Sequence, residues 1–384
     1  MDGQAEIHSF QVWRLPIFLS RSVCFCDSNE PMEWPTITAE EALTRLKEGA
    51  CAVDVRSEGE FADGHIPGIH NVAILNNEHR HLVGLKYKND GQNAAIELGL
   101  ELVSPLREGL LSSWRGALLH EREDMRLVLC WRGGLRSKMT CEWLGAAGFS
   151  GVRVVGGYKK IRARLLAALE KPVQLLVVGG LTGCGKTELL RELPRASVLD
   201  LELYANHRGS SFGLDLDDVQ PQQQTFENAL AMAVLAGYPV MAVEAESRLI
   251  GKCVIPAPMK AAMDERPLVV LEAPMEERVQ RVFAEYVQEP VRRAGAERVF
   301  EHLSAALKRV ERRLGGLRYQ EIQKLLTGAF LHRDVKLEKH AAWIADLLRF
   351  YYDPQYEFSL KTKARPVAFR GGYEEVRAYL KDQL

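Results

Sequence analysis

No apolar run in this sequence of 384 residues approaches the roughly eighteen needed to span a bilayer. The opening MDGQAEIH lacks the basic start of a secretory signal, so a soluble, cytoplasmic protein is expected. An excess of one charge is also missing. Lys and Arg number 50 against 51 Asp and Glu, so a nucleic acid could be held only by local basic patches. The 7 cysteines, Cys24, Cys26, Cys51, Cys130, Cys141, Cys184 and Cys253, fall in no paired Cys-x-x-Cys units and no regular framework. That excludes a legible zinc site or disulfide scaffold and agrees with a reducing compartment. Internal repeats and low-complexity tracts are absent as well. The chain is longer than one hydrophobic core usually organises, which predicts two domains plus an appendage.

Residues 1–35 carry no usable periodicity; they are expected to be a disordered extension or to precede a later start at Met32. From Thr36 the chain alternates helix (AEEALTRL), strand (CAVDVRS) and a Gly/Pro turn (DGHIPG), as an α/β domain requires. A longer, partly helical stretch leads to the apolar run MRLVLC, a glycine-bearing loop, the helical pattern SKMTCEWLGAAG and the strand VRVVGG. Pro172 marks a linker, after which VQLLVVGG, YPVMAVEAE and RPLVVLEAP read as buried parallel strands with crossover helices. The spacing predicts an α/β domain over 36–168, a second over 172–290 and a helical region over 291–384.

Two loops carry chemistry. In Cys130-Trp131-Arg132-Gly133-Gly134-Leu135-Arg136 a cysteine ends a buried strand and a helix follows. Glycines let backbone N–H groups turn inward, the helix start adds partial positive charge, and Arg132 and Arg136 add full charges. Such an anion cradle favours a thiolate and makes Cys130 a candidate nucleophile. The Cys-x5-Arg count suits a phosphatase as well as a chalcogen carrier. Upstream, DVRSEGEFADGHIPGIHNV (Asp54 to Val72) resembles the rhodanese signature and favours the carrier. That resemblance implies sulfur or selenium carried on Cys130 as a persulfide or perselenide. Asp54, Arg56 and His65 read as braces of the loop and not as catalytic groups.

The second loop, Gly180-Leu181-Thr182-Gly183-Cys184-Gly185-Lys186-Thr187, fits G-x-x-x-x-G-K-[ST] between an apolar strand and a helix. Its N–H groups can wrap a diphosphate, Lys186 can neutralise outer oxygens, and Thr187 can ligate magnesium. Gly180, Gly183 and Gly185 give the loop its turns. Glu244 and Glu246, at the end of a later strand, are the candidate partner acids, acting on magnesium through water. LEAPMEERVQR resembles the strand-to-helix passage of nucleotide kinases, where Arg278 and Arg281 would face phosphates; solvated helix charge explains them equally well. Cys184 reads as packing.

Both loops on one chain, with NNEHRHLVGLKYKNDGQNAAIELG (Asn76 to Gly99), DLELYANHRGSSFG (Asp200 to Gly213) and YYDPQYEFSLKTKARPVAFRG (Tyr351 to Gly371), closely resemble the tRNA 2-selenouridine synthases. The resemblance covers nearly everything after residue 36. It implies a transferase acting on the anticodon stem-loop of tRNA: a wobble 5-substituted 2-thiouridine is S-alkylated by geranyl diphosphate, and selenophosphate then displaces the thiogeranyl group. The diphosphate would sit in the second loop and selenophosphate in the first. His207 and Arg208 would contact diphosphate or base. Lys308, Arg309, Arg312 and Arg313, at helical spacing, and Lys361, Lys363, Arg365 and Arg370 would bind the RNA backbone, with stacking from Tyr351, Tyr352 or Tyr356. Two rivals remain open: an ATP-dependent tRNA sulfurtransferase using a Cys130 persulfide, and a non-enzymatic chalcogen- or tRNA-binding scaffold. Intact Cys130, Lys186 and Thr187 argue against the scaffold.

Overall fold

The computed structural model describes residues 34–207, Phe212, 219–331, 335–363 and 365–384. The expected N-terminal extension up to residue 33, and Arg208, Ser210 and Ser211, lie outside them. Five short strands form the first sheet: β1 (Thr36–Ile37), β2 (Cys51–Asp54), β3 (His70–Asn71), β4 (Arg126–Leu129) and β5 (Val152–Val154). Their order is β1-β5-β4-β2-β3, all parallel. Val53, Leu127, Val128 and Val154 are fully buried, because a parallel sheet covered by helices leaves neither face in water. Local chemistry starts the helices: Thr38 with Glu41, and Ser57 with Glu60, form capping boxes that satisfy orphan N–H groups.

The insertion after β3 is one helical stretch, Asn77–Val103, broken at Gly91 with φ 85°. A Cβ on Gly99 would lie 3.7 Å from the Val83 side chain. Along a continuous helix those residues would be about 24 Å apart, so the chain folds back on itself at Gly91 into two arms.

The second sheet comprises β6 (Gln174–Gly179), β7 (Val198–Leu199) and β8 (Val240–Glu244), then, after a small antiparallel hairpin of β9 (Leu249–Ile250) and β10 (Cys253–Val254), β11 (Leu268–Leu271) and β12 (Val367–Gly371). The order β12-β11-β6-β8-β7 is parallel throughout. The expected helical region 291–384 is corrected here. Its last part returns as edge strand β12 and the helix Tyr373–Gln383, whose Val376 and Leu380 pack with Val269 and Leu271. VAFRG escapes a pattern reading because its strand is largely exposed. Between lies a true helical subdomain, in which Val299, Leu303, Ala306, Leu307, Val310 and Leu314 bury one face of the helix Ala296–Leu314.

The two α/β domains share a core. The helix Gly157–Leu169 lays Tyr158, Ile161 and Leu165 in one apolar cluster with Phe226 and Leu230 of the helix Gln223–Ala236. Asn228, fully buried, donates to the His65 carbonyl at 2.8 Å and to the Tyr158 hydroxyl at 3.1 Å. Arg162 pairs with Glu227 and donates to Asn228 Oδ1 at 2.7 Å. The linker at Pro172 therefore divides the sequence but not the packing.

Candidate functional sites

Cys130 directly follows β4 and is buried. Its carbonyl accepts from Tyr158 N at 2.8 Å, which clamps the loop against the start of the next helix. The close approach demands glycine at two positions. Gly133 has φ 64° and Gly157 has φ 53°, and a Cβ on Gly157 would stand 2.1 Å from the Cys130 carbonyl oxygen. The helix Leu135–Ala146 starts at Gly134 with no side-chain cap, so its first N–H groups remain available to an anion. The Cys130 thiol lies 3.3 Å from Ser137 Oγ, whose hydroxyl donates to Gly134 O at 3.1 Å. Cys141, the neighbouring thiol, is pushed far up by burial and is inert packing.

The arginines sit differently from expectation. Arg136 is engaged by Glu60, at 2.5 Å and 3.1 Å, and Arg132 is exposed. Burial opposes both charges of the pair. Arg136 is nevertheless raised by Glu60, and Glu60 is lowered by Arg136, the Ser57 amide and Arg80. Arg153, which sequence reasoning passed over, donates to Gly133 O at 2.5 Å. Arg56 is a brace, as read from sequence: fully buried, it donates to Asp54 at 2.7 Å, Glu60 O at 2.9 Å and Gly64 O at 2.8 Å, with its guanidinium 3.9 Å from the Tyr158 ring centroid. His65 stacks on Phe61, and its amide donates to Thr225 Oγ1 of the other domain at 3.2 Å.

The phosphate loop follows β6. Gly180, Gly183 and Gly185 all have positive φ, and a Cβ on Gly180 would lie 2.5 Å from Leu271 O. Lys186 Nζ donates to Gly180 O at 3.3 Å, and Thr187 Oγ1 donates to Glu244 Oε1 at 2.6 Å. Burial works against the Lys186 charge, but its neighbours, Cys184 first and then the carboxylates of Glu244 and Glu246, hold its pKa above the ordinary value.

Glu202, Glu244 and Glu246 bring carboxylate oxygens within 4.8 Å of one another. Burial and the neighbouring Glu244 push Glu246 up to about 7, and burial with Glu244 and Glu246 pushes Glu202 up to about 9. Thr187 and these carboxylates are the oxygen donors a magnesium ion takes. Glu202 was missed in the sequence because an acid on a short helix usually reads as solvated charge. These groups line a cavity of about 560 Å³ with Arg281, Tyr286 and Tyr352.

Arg281 lines this cavity, its Nε 3.1 Å from where a Gly185 Cβ would be, and it pairs with Glu188 at 3.3 Å and Glu277 at 3.2 Å. Arg278 turns away from the cavity: it is buried, donates to Thr182 O at 2.8 Å, and pairs with Asp353 at 2.5 Å. The helix Met275–Phe283 turns position 278 inward with Val279 and Val282. His207 N donates to Glu202 O at 3.0 Å, next to the acidic cluster.

Lys308, Arg309, Arg312 and Arg313 share the exposed face of their helix, and Lys361 is exposed beside Glu357. The Lys363 side chain lies outside the described residues. The tyrosines point inward, against expectation: Tyr351 is buried in the subdomain core, Tyr352 lines the phosphate cavity, and Tyr356 sets its hydroxyl against Gly179. Arg365 and Arg370 are occupied, by the Met263 carbonyl and by Glu272.

A cysteine loop of rhodanese build and a lysine-bearing phosphate loop, joined through one core, define a two-domain chalcogen-transfer class of protein. Residues 38–164 match the rhodanese-like domain and residues 173–384 the tRNA 2-selenouridine synthase AAA domain. Curated tRNA 2-selenouridine synthases are similar over most of both chains. That of Marinobacter nauticus is 39% identical, covering 86% of this chain and 94% of its own. That of Hahella chejuensis is 40% identical, covering 88% and 93%, and that of Ectopseudomonas mendocina 41%, covering 86% and 92%. The chain belongs to the tRNA 2-selenouridine synthase family. Among the described residues, no helix is long and apolar enough to cross a membrane.

Proposed function

We propose that the chain replaces sulfur by selenium in a wobble 5-substituted 2-thiouridine of the tRNA anticodon stem-loop, in two steps at two loops. The observation that carries this reading is the pair of unlike anion sites fixed on one core. In the first step the thiocarbonyl sulfur displaces diphosphate from geranyl diphosphate, and the phosphate loop, Lys186 and Arg281 bind the leaving group; Thr187 and Glu244 would hold a magnesium ion, which would supply further charge stabilisation. In the second, Cys130 sulfur attacks C2 and displaces geranylthiol, which leaves with a proton. Selenium of selenophosphate then displaces Cys130, and water cleaves the Se–P bond to give phosphate. Every step is redox-neutral, whereas a perselenide built on Cys130 from selenophosphate needs a two-electron oxidant.

The test is Cys130→Ser with thiolated tRNA, geranyl diphosphate and selenophosphate. The expected result is S-geranyl nucleoside accumulating with little selenouridine, read by mass spectrometry. Selenouridine at the parental rate sinks the role of Cys130, and absence of both products sinks the division between the loops. The Thr187–Glu244 pair also suits a magnesium nucleotide. ATP turnover without tRNA would favour the sulfurtransferase reading.

A further inference from the structure

A second cavity, of about 740 Å³, adjoins the cysteine loop and has no part in the steps above. One wall is the helical hairpin hinged at Gly91, with Val83 on its first arm and Ile96 and Leu100 on its second. The facing wall is the cysteine loop and its helix, with Trp131, Leu135 and Met139. Apolar side chains of this size normally close against one another. Here Leu100 stays 39% and Leu135 47% exposed, and apolar surface gathered in a concavity of ligand size is held for an occupant. One rim is ionic: Arg80 and Arg136 both meet Glu60 there.

We propose that this cavity holds the prenyl chain of the S-geranyl nucleoside while C2 faces the cysteine loop. The proposal rests on the two-step reading above and adds where the chain lies in the second step. The phosphate cavity is a poor host for it, since Lys186, Glu202, Glu246 and Arg281 line it; those groups suit a diphosphate and a cation. Once diphosphate has left, nothing charged remains on the chain, and burial in the apolar cavity is favoured. The attached nucleotide, with its phosphates, then lies at the rim that carries Arg80 and Arg136. A chain anchored between Leu100 and Trp131 sets the C2–S bond beside the loop that begins at Cys130, so the alkyl group acts as a handle as well as a leaving group.

The experiment gives the full chain selenophosphate and a stem-loop RNA carrying either S-geranyl- or S-methyl-2-thiouridine, and measures selenouridine formation. The parental protein is expected to use the geranyl substrate at least about tenfold faster, the discrimination an apolar pocket gives for missing carbons. Leu100→Trp and Val83→Trp, which fill the cavity, should abolish that preference and leave the S-methyl rate within about twofold. The S-methyl rate reports an intact cysteine loop. Should the tryptophan variants not fold, Leu100→Gln keeps the size at a half-exposed site and should lower the preference through polarity. Filled variants that keep the full preference overturn the proposal, as does a parental protein that uses both substrates equally. A parental protein that selenates unalkylated 2-thiouridine but not the S-geranyl form defeats the two-step reading itself, and the prenyl assignment with it.

Discussion

The cysteine loop and the phosphate loop share a plan, a parallel strand ending in glycines before a helix, and differ in how their charge is balanced. Beside Cys130 the Arg136 guanidinium is engaged by Glu60, a carboxylate that it shares with Arg80. At Lys186 the imbalance runs the other way, with three clustered carboxylates facing one lysine and Arg281. The first loop can take a small anion as it stands, through backbone N–H groups. In the second, Glu202, Glu244 and Glu246 would hold a cation, which would ease entry of the diphosphate that the proposed first step requires. Similar backbones thus carry one site lined by backbone N–H groups and one in which carboxylates gather around a lysine.

Removing the lysine should break the comparison most severely. Lys186→Ala is expected to lower geranyl transfer at least about a hundredfold, in the range seen when a charge-stabilising donor is lost. It should leave selenation of a pre-made S-geranyl RNA intact. Equal loss of both activities, by nucleoside mass spectrometry, would show that the loops are not separate stations.

Acidity tests the carboxylate surplus. Glu246 and Glu202 are raised from 4.5 to about 7 and about 9, so the folded protein binds protons that the unfolded chain has released. Their contribution is full below about pH 4.5 and is lost as pH rises through the folded values. Without divalent ions, stability should fall by on the order of 5 kcal/mol between about pH 6 and about pH 9. Magnesium should restore most of it, because it favours the ionised carboxylates. Thermal melts at both pH values, with and without magnesium, decide this; a melt that rises with pH in metal-free buffer contradicts the account.

A smaller effect would sharpen the contrast from the other side. Glu60→Gln frees Arg136 beside the cysteine loop and should tighten inorganic phosphate binding there about fivefold at low salt, the worth of one partly exposed charge pairing. Calorimetry reads it, and unchanged affinity would place Arg136 outside the anion's reach. Smallest per residue, neutralising Lys308, Arg309, Arg312 and Arg313 should flatten the salt dependence of tRNA binding by roughly 0.7–0.9 for each RNA phosphate that a cation no longer neutralises. An unaltered slope returns that face to solvent.

What could be read from the sequence was local. Cys130 with Gly133 and Gly134, and Gly180 through Thr187, are contiguous stretches in which the spacing is itself the geometry, and both loops stand where the motifs put them. Arg56 reads as a brace for the same reason, since its hydrogen-bond partners Asp54, Glu60 and Gly64 lie close by in the chain. Misread residues depend on distant returns of the chain. Arg278 faces Asp353 from 75 positions away, Tyr352 reaches the phosphate cavity from the helical subdomain, and β12 completes a sheet begun at residue 174. A charged or tyrosine-rich stretch looks solvent-facing until its tertiary partner is known. Glu202 belongs to the same class, an acid made functional only by Glu244 and Glu246 arriving beside it.

The seam of Tyr158, Asn228 and Phe226 has a further consequence. Lobes joined by a thin polar contact swing freely, but swinging these would expose apolar helix faces and strip a buried amide of two hydrogen bonds. Under the proposed two-step reading the catalyst is a fixed workbench with two vices, so the traveller is the RNA: one nucleotide, swivelling on its own backbone, would visit first one loop and then the other. On that reading turnover would be paced by how readily an anticodon base leaves its stack, and the suppleness of the tRNA loop would help decide which tRNAs acquire selenium.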